Sequence, residues 1–177
     1  MRLFIAVNFD EKIKARILEI QARLRAQSTK GNFSRPENLH LTLAFIGETS
    51  EEKGHTLAGI IAGIRSPSFE IAFNRVGCFT HSHKELWWMG MEKNNNGFSL
   101  LEAMHRRLLG DLLKTGFQVD TRPFSAHITL GREIKHTQPI ELECTEIKVK
   151  VERISLMKSE HLKGVLTYTE IAGKDLS

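Results

Sequence analysis

From Leu3 to Phe9 the apolar residues run almost without interruption, the pattern of a central β-strand covered on both faces. The period then changes. Ile13, Ile17, Ile20 and Leu24 step by 4, 3 and 4 residues, which lines one face of a helix from Asp10 to about Ala26 with Asp10 as N-cap. Thr49-Ser50-Glu51-Glu52 has the spacing of a capping box with Thr49 as cap, and it opens a second helix carrying Leu57, Ile60, Ile61 and Ile64. Ser66-Pro67 ends it. A third helix carries Leu101, Met104, Leu108 and Leu112, is capped by Asn96 and stops at Thr115-Gly116.

Between the helices lie shorter segments of β character. Phe69, Ile71 and Phe73 alternate, and Val76 to Phe79 continues them; Leu86 to Met91 forms another strand. Ile147, Val149 and Val151 alternate with charged residues, Ile154 to Leu156 extends that strand, and Val165 to Ile171 is the last. Ser28–Asn32, Thr80–Glu85, the segment from Arg132 to Pro139 and Ser159–Gly164 read as polar turns or loops. The elements predict an α+β fold in one two-lobed domain over residues 1–177, without a low-complexity linker. Two pseudo-symmetric antiparallel sheets would face a central cleft, with helices packed outside.

The reason to expect pseudo-symmetry is a stretch that occurs twice. From Arg35 it reads R-P-E-N-L-H-L-T-L-A, and from Arg122 it reads R-P-F-S-A-H-I-T-L-G. Arg, Pro, His, Thr and Leu coincide without gaps. In an extended strand residues i and i+2 share a face. His40 and Thr42 therefore point one way while Leu41 and Leu43 point the other, and His127 with Thr129 opposes Ile128 with Leu130. The upstream proline marks entry into each strand. Leu, Ile and Pro can recur for packing alone. His and Thr at matched offsets, opposite the apolar face, call for a shared chemical task.

Composition narrows the task. The formal net charge is +4, with 25 Lys and Arg against 21 Asp and Glu, a mild basicity that suits an anionic ligand such as a nucleotide or RNA. The helix after Asp10 carries Lys12, Lys14, Arg16, Arg23 and Arg25, read first as a solvated face and second as an RNA contact. Cys78 and Cys144 show neither CxxC spacing nor a disulfide framework, which fits a reducing compartment. The N-terminal apolar run is too short for a signal peptide, and no stretch approaches a membrane span. The expectation is a soluble, cytoplasmic monomer with no membrane partner. Neither G-x-x-x-x-G-K nor G-x-G-x-x-G occurs, so ATP-driven phosphoryl transfer has no sequence support.

Two imidazoles facing one cleft can divide acid and base roles near neutral pH. Thr42 and Thr129 would hydrogen-bond the oxygens of an anion held between them, where negative charge grows in a phosphoryl transition state. No Ser or Cys stands in a nucleophile-elbow context. The set suits opening or closing a phosphodiester with no metal, no cofactor and no covalent intermediate. His81 and His83 form an H-x-H pair but lack a third ligand of obvious spacing. Trp87 and Trp88 are expected on opposite faces of their strand, one packed in the core and the other free to stack on a base. His105 is read as structural or exposed.

The H-L-T-L and H-I-T-L segments resemble the two HxTx signatures of the two-histidine phosphoesterase superfamily. Their flanks, the opening R-L-F-I-A-V and a late segment with Ser155, Leu156 and Tyr168 resemble its RNA 2′,3′-cyclic phosphodiesterase branch, historically called 2′-5′ RNA ligase. The resemblance spans essentially the whole chain. It implies hydrolysis of a 2′,3′-cyclic phosphate at an RNA end to a 2′-phosphate. It also implies His40 as proton donor, His127 as proton acceptor, and Thr42, Thr129 and Arg132 as phosphate contacts. The sequence itself leaves the two histidine roles interchangeable. Gly131 stands where the family often has Ala. Two alternatives remain: cleavage or ligation of 2′-5′ linkages at the same site, and a nucleotide- or RNA-binding module without turnover.

Overall fold

The apolar run at the start of the chain becomes β1 (Arg2–Asn8), an inner strand buried on both faces. A computed structural model describes residues 1–177. After β1 come α1 (Glu11–Ala26), β2 (Lys30–Phe33), a 3-10 turn at Pro36–Asn38, β3 (His40–Glu48), α2 (Glu51–Ala62) and β4 (Phe69–Phe73). They are followed by β5 (Arg75–His81), β6 (Lys84–Gly90), α3 (Asn96–Lys114), β7 (His127–Lys135), β8 (Ile147–Val151), β9 (Arg153–Leu162) and β10 (Val165–Asp175). Two four-stranded antiparallel sheets result, ordered β10-β9-β1-β3 and β2-β7-β6-β5, with a two-stranded ribbon β4-β8. Helix α2 packs on β9 and β10, α3 on β4, and α1 on β2 and β8. This is the expected α+β architecture. No helix is long and apolar enough to cross a membrane.

One cluster of 35 buried apolar residues runs through the molecule. Leu3, Ile5 and Val7 enter it from one face of β1, while Phe4 and Ala6, on the other face, pack with Met157 and Tyr168. That second, smaller layer lies behind His40, whose ring centroid is 4.9 Å from that of Phe4 and 5.3 Å from that of Tyr168. β1 is therefore continuous in hydrophobicity because one face builds the core and the other floors the cleft.

Helix stripes are as expected, and Asp10 caps α1, its carboxylate accepting from the Ile13 amide at 2.8 Å. Gly116 (φ +81°) ends α3 in a left-handed turn, with the Gly116 amide on Leu113 and the Phe117 amide on Leu112. Two caps differ by one residue. Ser50, not Thr49, caps α2. Thr49 is instead drawn inward, its amide bonded to the Met1 carbonyl. Asn95, not Asn96, caps α3, accepting from the Phe98 amide at 2.7 Å.

Strand content exceeds the expectation. Lys30–Phe33, read as part of a polar turn, is β2, held by pairing to the edge of β7 rather than by apolar alternation. β7 does not end at Arg132 but continues to Lys135, because Ile134 returns to the core. Asn74 separates β4 from β5, and Glu152 separates β8 from β9, so segments expected to be continuous serve different sheets. The expected turn at Ser159–Gly164 contracts to Lys163-Gly164, both at positive φ, within a β9-β10 hairpin. Trp87 and Trp88 are both half-buried. Trp87 packs on the core and donates Nε1 to Glu85 at 2.8 Å, whereas the Trp88 ring lies over Gly77 and Gly90.

Candidate active site

The two copies of the repeated stretch become β3 and β7, each nine residues long and each starting at its histidine. They lie in different sheets and pack against one another. Leu41 and Leu43 in one strand, and Ile128 and Leu130 in the other, are buried at 3% exposure or less. His40, Thr42, His127 and Thr129 occupy the opposite, half-buried face, as the alternation requires.

The correspondence extends to the backbone. Nδ1 of His40 lies 2.7 Å from the Asn38 carbonyl, and Nδ1 of His127 lies 2.8 Å from the Ser125 carbonyl, the same offset in each repeat. A carbonyl oxygen only accepts, so Nδ1 carries the proton in both rings and donates it there. Nε2 is thereby left as the reactive nitrogen of each neutral imidazole. Nε2 of His40 is 2.9 Å from the Thr42 hydroxyl, which donates to it when the ring is neutral. Each strand also carries a bulge at the same place. In β3, Thr42 and Ala44 pair with consecutive residues of β1, leaving Leu43 extra; in β7, Thr129 and Gly131 pair with consecutive residues of β6, leaving Leu130 extra.

The bulges decide which side chains join the histidines. Strict alternation from His127 would turn Arg132 away. The extra residue resets the alternation and returns Arg132 to the cleft face, where its charge bears on His40, His127 and Tyr168. The equivalent residue in β3 is Phe45, which is 50% exposed with the Arg2 guanidinium 5.1 Å from its ring centre. Phe45, Thr42, Phe79, Phe124 and His127 line a cavity of about 490 Å³ on the His127 side of the cleft. Phe79 meets the His127 ring edge-on at 5.4 Å.

Burial lowers both imidazoles below the ordinary value of 6.5. For His40 the bond to Asn38 works against this, and the charges of His127 and Arg132 add to it. For His127 the bond to Ser125 opposes burial and the charge of Arg132 adds to it. The unliganded cleft thus favours two neutral rings and resists having both charged.

Of the five expected site residues, Thr42 and His127 line the cavity, the charges of His127 and Arg132 bear on His40, and Thr129 shares the half-buried face of β7 with His127. The sequence reading did not single out Phe45, Phe79 or Phe4. The signal for Phe45 lay in the repeat, since it stands at the offset of Arg132. His105 is 8% exposed and stacked on Phe124, a structural position rather than an exposed one. His81 and His83 flank Ser82 at the β5-β6 turn, and no group of three or more His, Cys, Asp or Glu side chains is assembled as a metal site.

A family model described as the 2′-5′ RNA ligase superfamily matches residues 9–162, from just after β1 through β9. The chain belongs to the 2′-5′ RNA ligase superfamily. Among its superfamily relatives, a protein of Escherichia coli strain K12 named RNA 2′,3′-cyclic phosphodiesterase is 31% identical over 173 residues, covering 96% of this chain and 93% of that one. A protein of the same name from Methanothermobacter thermautotrophicus is 31% identical over 182 residues, covering 97% and 96%. The solved structure of E. coli LigT complexed with 3′-AMP superposes with a TM-score of 0.85 at 29% identity, covering 99% of this chain and 98% of that one. The family match spans both copies of the repeated stretch.

Proposed function

We propose that the protein hydrolyses the 2′,3′-cyclic phosphate at an RNA or nucleotide end to a 2′-phosphate. The observation that carries this is the matched pair of imidazoles, each fixed at Nδ1 by a carbonyl two residues upstream, which leaves Nε2 of each as the reactive nitrogen. It is supported by the superfamily and by the activity for which the E. coli and M. thermautotrophicus relatives are named.

His127 Nε2 has no protein partner and acts as the base. It takes a proton from water as the water oxygen forms a bond to phosphorus. The bond from phosphorus to the 3′ oxygen breaks, and that oxygen takes the proton from Nε2 of charged His40. The 2′-phosphate and a 3′-hydroxyl leave, with His127 charged and His40 neutral, and exchange with solvent restores the start. In the empty cleft burial opposes the charged form of His40, and the charge of Arg132 adds to this. The phosphate anion supplies a counter-charge, so substrate binding favours the acid. Thr42, Thr129 and Arg132 bind the non-bridging oxygens, whose charge grows as the bonds rearrange. Acid, base and anion contacts are all present in side chains, and the step requires no metal.

The test is turnover of a 2′,3′-cyclic nucleotide in EDTA by wild type, His40→Ala and His127→Ala, with the product's phosphate position read by NMR. Wild type is expected to give the 2′-phosphate, and each variant to lose about 10²- to 10⁴-fold in rate, the usual scale for a positioned acid or base. No turnover by wild type, or turnover untouched by both substitutions, rejects the reading. A 3′-phosphate product would reverse the assignment of the departing oxygen.

A further inference from the structure

Four polar side chains are buried in this protein: Gln21, Thr49, His105 and Ser155. One of them, Gln21, acts directly on a histidine strand. Gln21 sits among the core residues of α1 and donates Nε2 to the Leu130 carbonyl at 2.9 Å and to the Ser34 carbonyl at 2.7 Å. His105, on α3, lines the same cavity as Leu43 and His127. Its ring also stacks on Phe124 at 3.9 Å and 11°. Leu43 and Leu130 are the bulged residues of the two histidine strands. Gln21 lies outside the repeated stretch, yet as a buried donor from a helix it reaches the carbonyl of the bulged residue in β7.

A bulge can be lost by a one-residue slip, and a slip turns every later side chain to the other face. Here the later side chains are Arg132 and Phe45. A buried carbonyl with a directed donor costs free energy to move, because displacement leaves the donor, the acceptor or both unpaired. Gln21 is a donor of this kind. It bridges Leu130 to Ser34, whose own amide also bonds the Leu130 carbonyl at 2.9 Å and whose hydroxyl bonds the Thr129 carbonyl at 2.7 Å.

We propose that Gln21 is a positioning residue for the reaction, clamping the bulge of β7 so that Arg132 stays on the cleft face. The kinetic part of this rests on the cyclic phosphodiesterase reading above. Gln21 is buried and does not line the cavity, so its effect passes through the residue that the bulge aims.

The experiment is a double-mutant cycle of Gln21→Met, which keeps the volume and removes the donors, with Arg132→Ala. Gln21→Met alone is expected to lower kcat/KM about tenfold, a fraction of what a misplaced contact of this kind can cost. In the Arg132→Ala background the same change should have less than about a twofold effect, since coupled residues are non-additive. A loss that persists in full without Arg132, or no loss at all, overturns the proposal. NMR titration of His40 and His127 reads the same displacement without turnover. Because the charge of Arg132 lowers both imidazoles, both midpoints should rise in Gln21→Met toward those of Arg132→Ala; unchanged midpoints in a folded variant overturn it. Absent wild-type turnover would count against the phosphodiesterase reading alone and leave this titration decisive. Should Gln21→Met fail to fold, Gln21→Asn, which keeps the amide but withdraws it from the Leu130 carbonyl, crossed with Arg132→Ala makes the same test: non-additivity supports the clamp and additivity rejects it.

Discussion

His40 and His127 were legible because the chain states them twice. A single strand histidine carries little information, but a second copy at the same offset from Arg, Pro, Thr and Leu removes most packing explanations. The tautomers were not legible, since they depend on the Asn38 and Ser125 carbonyls, which no side-chain pattern reveals. Arg132 was reachable through resemblance but not through alternation, which points it the wrong way; only the bulge at Leu130 returns it. Its charge has a consequence for pH. Both imidazoles lie below 6.5 in the free protein, and a bell-shaped kcat/KM profile is centred between the two free-enzyme values. The optimum should therefore fall on the acid side of 6.5. In kcat, measured with phosphate bound, the alkaline limb should move upward, because the anion favours charged His40. Arg132→Gln removes a positive charge that lowers both rings, so the kcat/KM optimum should shift to higher pH while its height drops. A stopped pH series on both enzymes checks this, and an optimum that stays fixed contradicts the assigned electrostatics.

At the scale of elements, the three helices were readable from apolar stripes, and the errors fall at their ends. Thr49 and Ser50 both have the right chemistry for a cap. The choice between them is tertiary: the Thr49 amide pairs with Met1 in extending the β1 region, and Ser50 inherits the helix start. Asn95 and Asn96 pose the same ambiguity, settled by the Phe98 amide bonding Asn95. Asn95→Ala should therefore destabilise the fold by about 1 kcal/mol, the ordinary cost of a lost N-cap, while Asn96→Ala should be close to neutral. Urea unfolding of the two variants separates them, and equal effects would remove Asn95 as the cap. β2 could not be read locally because Lys30-Gly31-Asn32-Phe33 has almost no apolar alternation. It is a strand only because β7 offers an edge to pair with, and a long-range partner of that kind leaves no mark within four residues.

At the scale of the whole molecule, a duplicated unit places one histidine strand in each of two sheets, and the core and helices hold the two strands face to face. That arrangement buries three imidazoles, His40, His105 and His127, and burial lowers all three below 6.5. In the unfolded chain they return to the ordinary value. Between 6.5 and the lower folded values the unfolded state binds more protons, so stability is full above about pH 6.5 and declines as pH falls through that window. Each group adds at most about 1.4 kcal/mol per pH unit to the slope. Carboxylates do not confuse the reading, because Asp120 is held at about 2 by Arg122. Glu85, Glu133 and Glu170 are likewise held below their usual range by their hydrogen-bonding partners and stay ionised there. Urea midpoints taken from pH 7.5 down to 5.5 should fall steadily, and less steeply in His105→Gln, which has one group fewer to titrate. Saturating phosphate, by countering charge in the cleft, should flatten the slope through His40 and His127 but leave the part that His105 contributes. A midpoint constant across that range would mean that the cleft tolerates charged imidazoles without substrate, and the acid would then not need to be favoured by binding.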